Sequence, residues 1–553
     1  MAAEIAIRGG TVLDGTGAPG RRADVTVSGG VITEIGERLS GERVLDASGQ
    51  IVAPGFIDIH THYDAQVFWD PALSPSCFHG VTTVIAGNCG FSIAPTRPEH
   101  HDVIARTLEN VEDMDVATLA AGIPWDFESF PEYLDSVRRR GTLLNFGAYI
   151  GHTALRLYAM GDAAYERAAR AEEVERMGAL VEEAVRAGAA GFATSFAPTH
   201  RGLDGLPVPS RFAERGEFEA LCRAVGRAGK GVIHVAPGQP VSIADLYEIQ
   251  PGIGRPFTWA ALLTFPGGGH QGLLELHRKG RARGAQVWPQ VSPRPLTFQL
   301  TMEEPFLLNV GPLFAELMAR PREARLLAYR DPDWRRRAYE DLQGQMMRPR
   351  WETFQVGESV KHPELEGRRV LELAAERGVG PLDLMCQLAL EEDLGTRFRC
   401  ILANDDPEGI DFLLQQEGCM LGLSDAGAHV GQLCDAPQAT DLLGNWVRER
   451  GTLPLETAIR RLSGEPADIF GLAGRGYLRE GYCADLVVLD PARVAPGPTR
   501  RVCDFPAGAA RLTADAPTGI THVLVNGTPI RLDGRSLVGE LEARPGQIPE
   551  LVG

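Results

Sequence analysis

The chain has 553 residues, 44% hydrophobic and 23% charged, with a net charge of −18. That length carries roughly two to four domain-sized units, and the hydrophobic share excludes long-range disorder. An acidic surface repels phosphate backbones, which argues against a nucleic-acid partner, and the sequence holds no run of about 18 apolar residues to span a membrane. The start, Met1-Ala-Ala-Glu-Ile5, lacks the basic segment and apolar run of a secretory signal. Nine scattered cysteines, an odd number, read as reduced thiols. The expectation is a soluble, cytoplasmic, globular protein, with its oligomeric state open and a homo-oligomer among the options.

In chain order, the first fifty residues read as short strands and turns. Ile5-Ala-Ile-Arg-Gly-Gly-Thr-Val-Leu13 alternates, Asp14-Gly15 and Gly29-Gly30 punctuate, and Val25–Ile35 supplies a strand pair. The last eighty repeat that pattern, in Ala484-Asp-Leu-Val-Val-Leu-Asp490 and in His522-Val-Leu-Val-Asn-Gly527 with its turn dipeptide. Chain ends commonly lie close together, so residues 1–54 and 476–553 are expected to form one composite β-sandwich domain. Between them, strand-like runs alternate with helical stretches: Gly55–Thr61, Val81–Asn88, Leu143–Ile150, Ala190–Ser195, Gly231–Val235, Phe257–Phe265, Ala285–Val291 and Cys419–Ser424. A helix is expected over Tyr165–Ala187, with Val174, Met177, Leu180, Val181 and Val185 on one face. Eight such units make α/β the class and a (β/α)8 TIM barrel over residues 55–475 the leading architecture. Within it, residues 292–395 carry helical patterns of their own (Glu304–Met318, Pro332–Gln343, Arg368–Glu376 and Leu382–Glu391) and read as a helical insertion between strands seven and eight, over the barrel mouth.

The strongest local signal is Pro54-Gly-Phe-Ile-Asp-Ile-His60-Thr-His62. A strand that delivers histidines at i and i+2 aims both side chains from one face. At the C-terminal end of a barrel strand that face opens on the mouth, and two imidazoles there make half of a site suited to zinc or a similar ion. The second run ends in Ala86-Gly-Asn-Cys89-Gly-Phe-Ser92, where a thiolate between glycines can approach a metal. Alone, Cys89 reads better as a small packed hydrophobe. The fifth run ends at His234 and the eighth at Asp425, each with a packing or capping explanation. Four strand ends of one barrel bearing ligand-type side chains are harder to explain away together.

These segments resemble the amidohydrolase superfamily and, within it, the N-acyl-D-amino-acid deacylase (D-aminoacylase) branch. The resemblance rests on the strand running into His60-Thr-His62, on Gly87-Asn-Cys-Gly-Phe-Ser-Ile-Ala-Pro95, on Gly151-His-Thr-Ala-Leu-Arg156, on Gly191-Phe-Ala-Thr-Ser195, on Gly422-Leu-Ser-Asp425 and on the Ala484–Asp490 tail. It implies one or two divalent metal ions, Zn2+ above all, held by His60, His62, Cys89, His234 and Asp425, with Asp425 also the general base. It also implies a sixth-strand histidine that this chain lacks; Thr264 stands near the expected position, and His270 follows after three glycines. The implied reaction is metal-assisted hydrolysis of a linear N-acyl amide, with a small-molecule N-acyl-D-amino acid as the leading substrate class. Hydrolysis of a cyclic amide, imide or lactone is the alternative, and a catalytically silent binding barrel a further one.

Other positions are weighed as substrate contacts. His152 follows the third run, and Ser195 and His200 the fourth; each serves equally well as scaffold. Arg211 and His429 could meet a substrate carboxylate, against a larger expectation of structural ion pairs.

Overall fold

In the computed structural model, residues 3–202, 205–345, 348–541 and 543–553 are described. They divide into two units, Met1–Arg294 with Asp406–Gly553, and Pro295–Asp405.

The first unit contains the barrel. Its eight parallel strands are Phe56–Asp58, Val81–Ala86, Asn145–Gly151, Gly191–Ser195, Val232–Ala236, Phe257–Trp259, Val287–Val291 and Met420–Leu421. They neighbour one another in chain order, and a parallel bridge from Thr61 to Ala426 joins the first strand's exit to the eighth's. Parallel strands buried on both faces read as continuous apolar runs rather than alternating ones, which is why these segments stand out in the sequence. Most of them are shorter than expected, the first, sixth and eighth by the most. The sixth stops at Trp259, and the eighth stops at Leu421 because Leu423 and Asp425 take left-handed backbone angles, φ 62° and 44°. The helix expected from Tyr165 starts at Ala171 instead. There Glu173 accepts from the Arg170 backbone N–H at 2.7 Å and pairs with Arg167, and together these hold the helix start.

Strands from both ends of the chain share a nine-stranded sheet in the same unit. Ile51–Pro54 pairs parallel with Ala3–Val12 and antiparallel with Leu486–Leu489, so the segment that enters the barrel is clamped between the two termini. Asp485 continues the join: its carbonyl accepts from Gly55 N–H at 2.9 Å, and its carboxylate takes Asn145 Nδ2 at 3.0 Å and an ion pair with Arg475. That tie fixes the first and third barrel strands to the tail.

The second unit carries the four expected helices, observed as Pro312–Met318, Pro332–Gln343, Val370–Arg377 and Pro381–Glu391, together with the unexpected Arg322–Arg330. The run expected from Glu304 begins as a helix only at Pro312, where proline's fixed φ suits the first helical turn. The unit also holds a three-stranded antiparallel sheet ordered Leu296–Thr301, Arg397–Ala403, Gln355–Glu358, which helical periodicity does not reveal. It has its own core, including Phe314, Tyr329, Trp334, Leu384 and Phe398.

Candidate active site

The ligand-type side chains sit at or near the C-terminal ends of barrel strands, His234 within the fifth. His60 and His62 follow the first strand, and their rings converge, with centroids 5.4 Å apart. His60 Nε2 lies 3.1 Å from Asp425 Oδ1, and His62 Nε2 lies 3.7 Å from the same oxygen. Cys89 Sγ lies 3.9 Å from His60 Nε2 and 3.8 Å from His234 Nε2. Two nitrogen or oxygen ligands on one tetrahedral ion at about 2.1 Å stand about 3.4 Å apart, and a sulfur and a nitrogen about 3.6 Å. The observed spacings match that geometry. Among the described residues two candidate triads result, His60–His62–Asp425 and His60–Cys89–His234.

The backbone delivers these groups by unusual means. Cys89, Asp425 and His429 are non-glycine residues with left-handed φ values of 56°, 44° and 47°. Such conformations cost of order 1–3 kcal/mol each and persist where surroundings enforce them, often at working sites. Gly87 and Gly90 flank Cys89 with φ of 80° and 79°, and a Cβ on either would fall 2.7 Å from Tyr149 O or 2.8 Å from Ala193 O. The turn therefore runs against strands three and four, and only glycine fits. Asn88 completes it, its amide nitrogen sharing the carbonyls of Ile59, Thr61 and Ile85 at 2.9–3.3 Å.

Electrostatics separate the groups. Burial works against charge on His62, but the flanking carboxylates of Glu112 and Asp425 outweigh it and raise its pKa to about 10. Burial would raise Asp425, yet the His60 and His62 rings hold it well below the usual carboxylate range. Burial, with Asp425 and Glu112 nearby, pushes the Cys89 thiol far up. His234 is driven well down by burial and by His60 and His62. The carboxylates thus favour a proton on His62, while burial disfavours charge on Cys89 and His234. A cation arriving there would displace protons from ligands, the usual coupling of metal binding to pH.

Ser195, His200 and Arg211 form one linked group. Ser195 Oγ lies 2.6 Å from His200 Nδ1, and Arg211 Nη1 donates to the carbonyls of His200 and Pro198 at 3.3 and 3.2 Å. The His200 ring meets Phe91, two residues past Cys89, edge-on at 5.0 Å. Burial, with His429 and His62 adding to it, lowers His200 to about 3. His429 lies four residues past Asp425 on the same loop, and burial lowers its pKa. His152 stands apart: its Nδ1 meets Thr194 Oγ1 at 2.8 Å, and its Nε2 meets Glu217 Oε1 at 2.9 Å. Thr264 comes after the sixth strand has ended, with its methyl against Gly409. The sixth-strand side chain that reaches the centre's hydrogen bonds is Thr258, in register with His234.

Two residues escape a reading of the sequence. Glu112 ends the helix His101–Glu112, and its Oε1 lies 2.8 Å from His62 Nδ1 as a buried ion pair. Gln290, on the seventh strand, places Oε1 2.5 Å from His60 Nδ1. Partners of this kind fix ring orientation and leave Nε2 for a ligand role. Each carries a faint signal. Glu112 falls on the buried Ile104–Leu108 face of its helix, and Gln290 is a polar residue ending a buried strand.

A closed parallel barrel with ligand-type side chains at the exits of strands one, two, five and eight describes a barrel hydrolase built around a metal centre. Residues 43–531 match the model of the Amidohydrolase family, and the chain belongs to that family. It is 31% identical to a D-aminoacylase of Alcaligenes xylosoxydans xylosoxydans over 95% of this chain and 94% of that one, and 30% identical to the same organism's N-acyl-D-glutamate deacylase over 95% and 93%. Among solved structures, an N-acyl-D-glutamate deacylase from Bordetella bronchiseptica, complexed with zinc and a phosphonate mimic of the tetrahedral intermediate, superposes with TM-score 0.67 at 28% identity, covering 99% of each chain. A D-aminoacylase described with a binuclear metal centre gives TM-score 0.68 at 27% identity, covering 99% of this chain and 100% of that one. The chain is thus a metal-dependent amidohydrolase acting on carbon–nitrogen bonds, of the deacylase kind.

Proposed function

We propose that the protein deacylates N-acyl-D-amino acids, using zinc held by His60, His62, Cys89, His234 and Asp425. The observation that carries this reading is the spacing of those five side chains, which matches first-coordination geometry at four strand exits. When bound, a divalent ion supplies Lewis acidity, lowering the pKa of water from about 15.7 toward 7 and polarising a carbonyl. The remaining work belongs to this chain. Asp425, ionised and aimed between two histidines, accepts the proton of the attacking water and returns it to the departing nitrogen. Glu112 and Gln290 hold His62 and His60 with Nε2 turned inward. His200, Arg211 and His429 border the same mouth, and we assign them to the amino acid's carboxylate, with Ser195 bracing His200.

Nine unpaired thiols suit a reducing cytoplasm, and no helix among the described residues is long and apolar enough to cross a membrane. The test is metal analysis of the purified protein together with a panel of N-acyl-D- and N-acyl-L-amino acids. Bound zinc with release of free D-amino acid is the expected result. Ring opening of cyclic imides in preference to deacylation would overturn the assignment.

A further inference from the structure

The helix His101–Glu112 holds the metal side of the mouth with one residue and the loop bearing His200 with another. Residues two apart on an α-helix point about 200° away from each other. Glu112 is buried and meets His62 at 2.8 Å, whereas Asn110 is exposed and donates from Nδ2 to Gly202 O at 3.0 Å. Thr107, three residues before Asn110 and so on the same side, forms a seat for the loop. A Cβ on Gly202 would lie 3.2 Å from Thr107 Oγ1 and 3.4 Å from its methyl carbon. The backbone at Gly202 therefore rests directly on the helix.

The loop has few other outside supports. At its ends, Ser195 Oγ meets His200 Nδ1 and Ser210 Oγ donates to Ser195 O at 2.7 Å. Between them the bonds are internal. Gly202 N–H reaches Leu206 O at 2.8 Å, Arg201 Nη1 reaches Gly205 O at 3.0 Å, and Arg211 Nη1 reaches the carbonyls of Pro198 and His200. Bonds of that kind keep the loop's own shape without fixing where it stands. Among the described residues, Asn110 is the only side chain from outside 195–211 that hydrogen-bonds the stretch 197–207. A loop shaped by itself and placed by one outside side chain shifts as a unit when that bond is lost, and His200 and Arg211 move with it.

We propose that Asn110 is a positioning residue for substrate: by holding Gly202, it sets how far His200 and Arg211 stand from the centre to which Glu112 joins the same helix. Carboxylate recognition and hydrolysis are thereby registered to each other through one helical turn. This rests on the assignment of His200 and Arg211 to the substrate carboxylate; Asn110 itself touches neither substrate nor metal ligand.

Kinetics and amide exchange on the zinc-loaded protein test it. In Asn110→Ala, KM for the best-cleaved member of the N-acyl-D-amino acid panel should rise by about three- to tenfold, the factor that one hydrogen bond carries. Turnover should stay nearly unchanged, the pattern of lost binding rather than lost chemistry. Alanine is the better helix former, so thermal unfolding should not move downward, which separates a displaced loop from a damaged fold. In combination with His200→Ala, the Asn110 change should add less than it does alone, because it acts through the loop that carries His200. An unchanged KM in Asn110→Ala, or full additivity with His200→Ala, overturns the inference. Amide exchange checks the physical step without turnover. In Asn110→Ala, exchange over residues 197–211 should speed up by about three- to tenfold. Exchange over 425–433, held to the helix by Glu112 O and Asp113 Oδ2 instead, should not change. Equal rates over 197–211 in both proteins also overturn the inference. The deacylase reading fails differently, with no panel member cleaved or with a KM indifferent to His200→Ala, and the exchange rates then still decide whether Asn110 places the loop.

Discussion

Two clusters of buried histidine occupy one barrel and contrast sharply. Around His152 every ring nitrogen is satisfied inside the protein: Thr194 takes one, Glu217 the other, and the same carboxylate bonds Arg156 Nη1 at 2.5 Å. Around His60 only the Nδ1 side is satisfied, by Gln290, while Nε2 faces a carboxylate and a sulfur at ligand spacing. His62 has the Glu112 carboxylate 2.8 Å from its Nδ1 as an ion pair. Burial alone does not distinguish the clusters, since all these histidines are buried. The difference lies in what remains unspent after the protein's own partners are counted. A closed network stiffens the barrel wall, whereas an open one waits for a ligand.

The sharpest break in that contrast is Asp425→Asn. If Asp425 moves the proton, kcat should fall by 10²–10⁴, roughly the loss expected for a general base, with KM changing far less. Steady-state kinetics on folded, zinc-loaded variant decides it, and near-normal turnover would assign the proton elsewhere.

Glu217→Gln should do the reverse: zinc content stays, and stability falls by about 3–5 kcal/mol, as when one partner of a buried ion pair is lost. The pH dependence supplies a signature. His152 and Arg156 overcome the effect of burial and hold Glu217 at about 2, below its ordinary 4.5. Its contribution is therefore full above about pH 4.5 and lost as pH falls through 2. The gap between the two denaturation curves should close over that window.

A smaller effect is expected from Glu112→Gln, which keeps an oxygen for His62 but removes the charge. Zinc affinity should weaken by about 10–100-fold, and the metal-free protein should also lose stability below the raised pKa of His62, since the charged ring loses its buried carboxylate. The smallest belongs to Thr264→His. With Thr264 against Gly409 beyond the sixth strand's end, zinc affinity should move less than about threefold, whatever the residue's likeness to a missing ligand position in the sequence. A large gain in competition titration would show that the loop can bring position 264 inward.

Much of this architecture is legible in the amino-acid sequence. The strand exits at His60, His62, Cys89, His234 and Asp425 are readable because a buried parallel strand writes itself as an apolar run, and its last polar residue marks the mouth. The joining of both termini follows from alternating patterns at each end. What escapes depends on distances across the fold. Glu112 lies 50 residues from His62, and nothing local pairs them. The register of the sixth strand is hidden because the apolar run through Leu263 continues after strand pairing ends at Trp259. The small sheet in Pro295–Asp405 pairs segments about a hundred residues apart, and helix periodicity between them dominates the pattern.

The loop that follows Asp425 is tethered from three distant stretches of chain. Val430 N–H donates to Glu112 O at 3.2 Å, Gly431 N–H to Asp113 Oδ2 at 3.0 Å, Arg501 Nη2 to Gly431 O at 2.9 Å, and Leu512 N–H to Val430 O at 2.7 Å. Anyone shortening this protein would be misled by the ligand positions, all of which lie before residue 426. A truncation ending ahead of Arg501 keeps every one of them, yet it discards two of the four ties that anchor the stretch carrying His429. The C-terminal tail thereby helps to hold the stretch carrying His429, and altering that loop means redesigning its anchors with it.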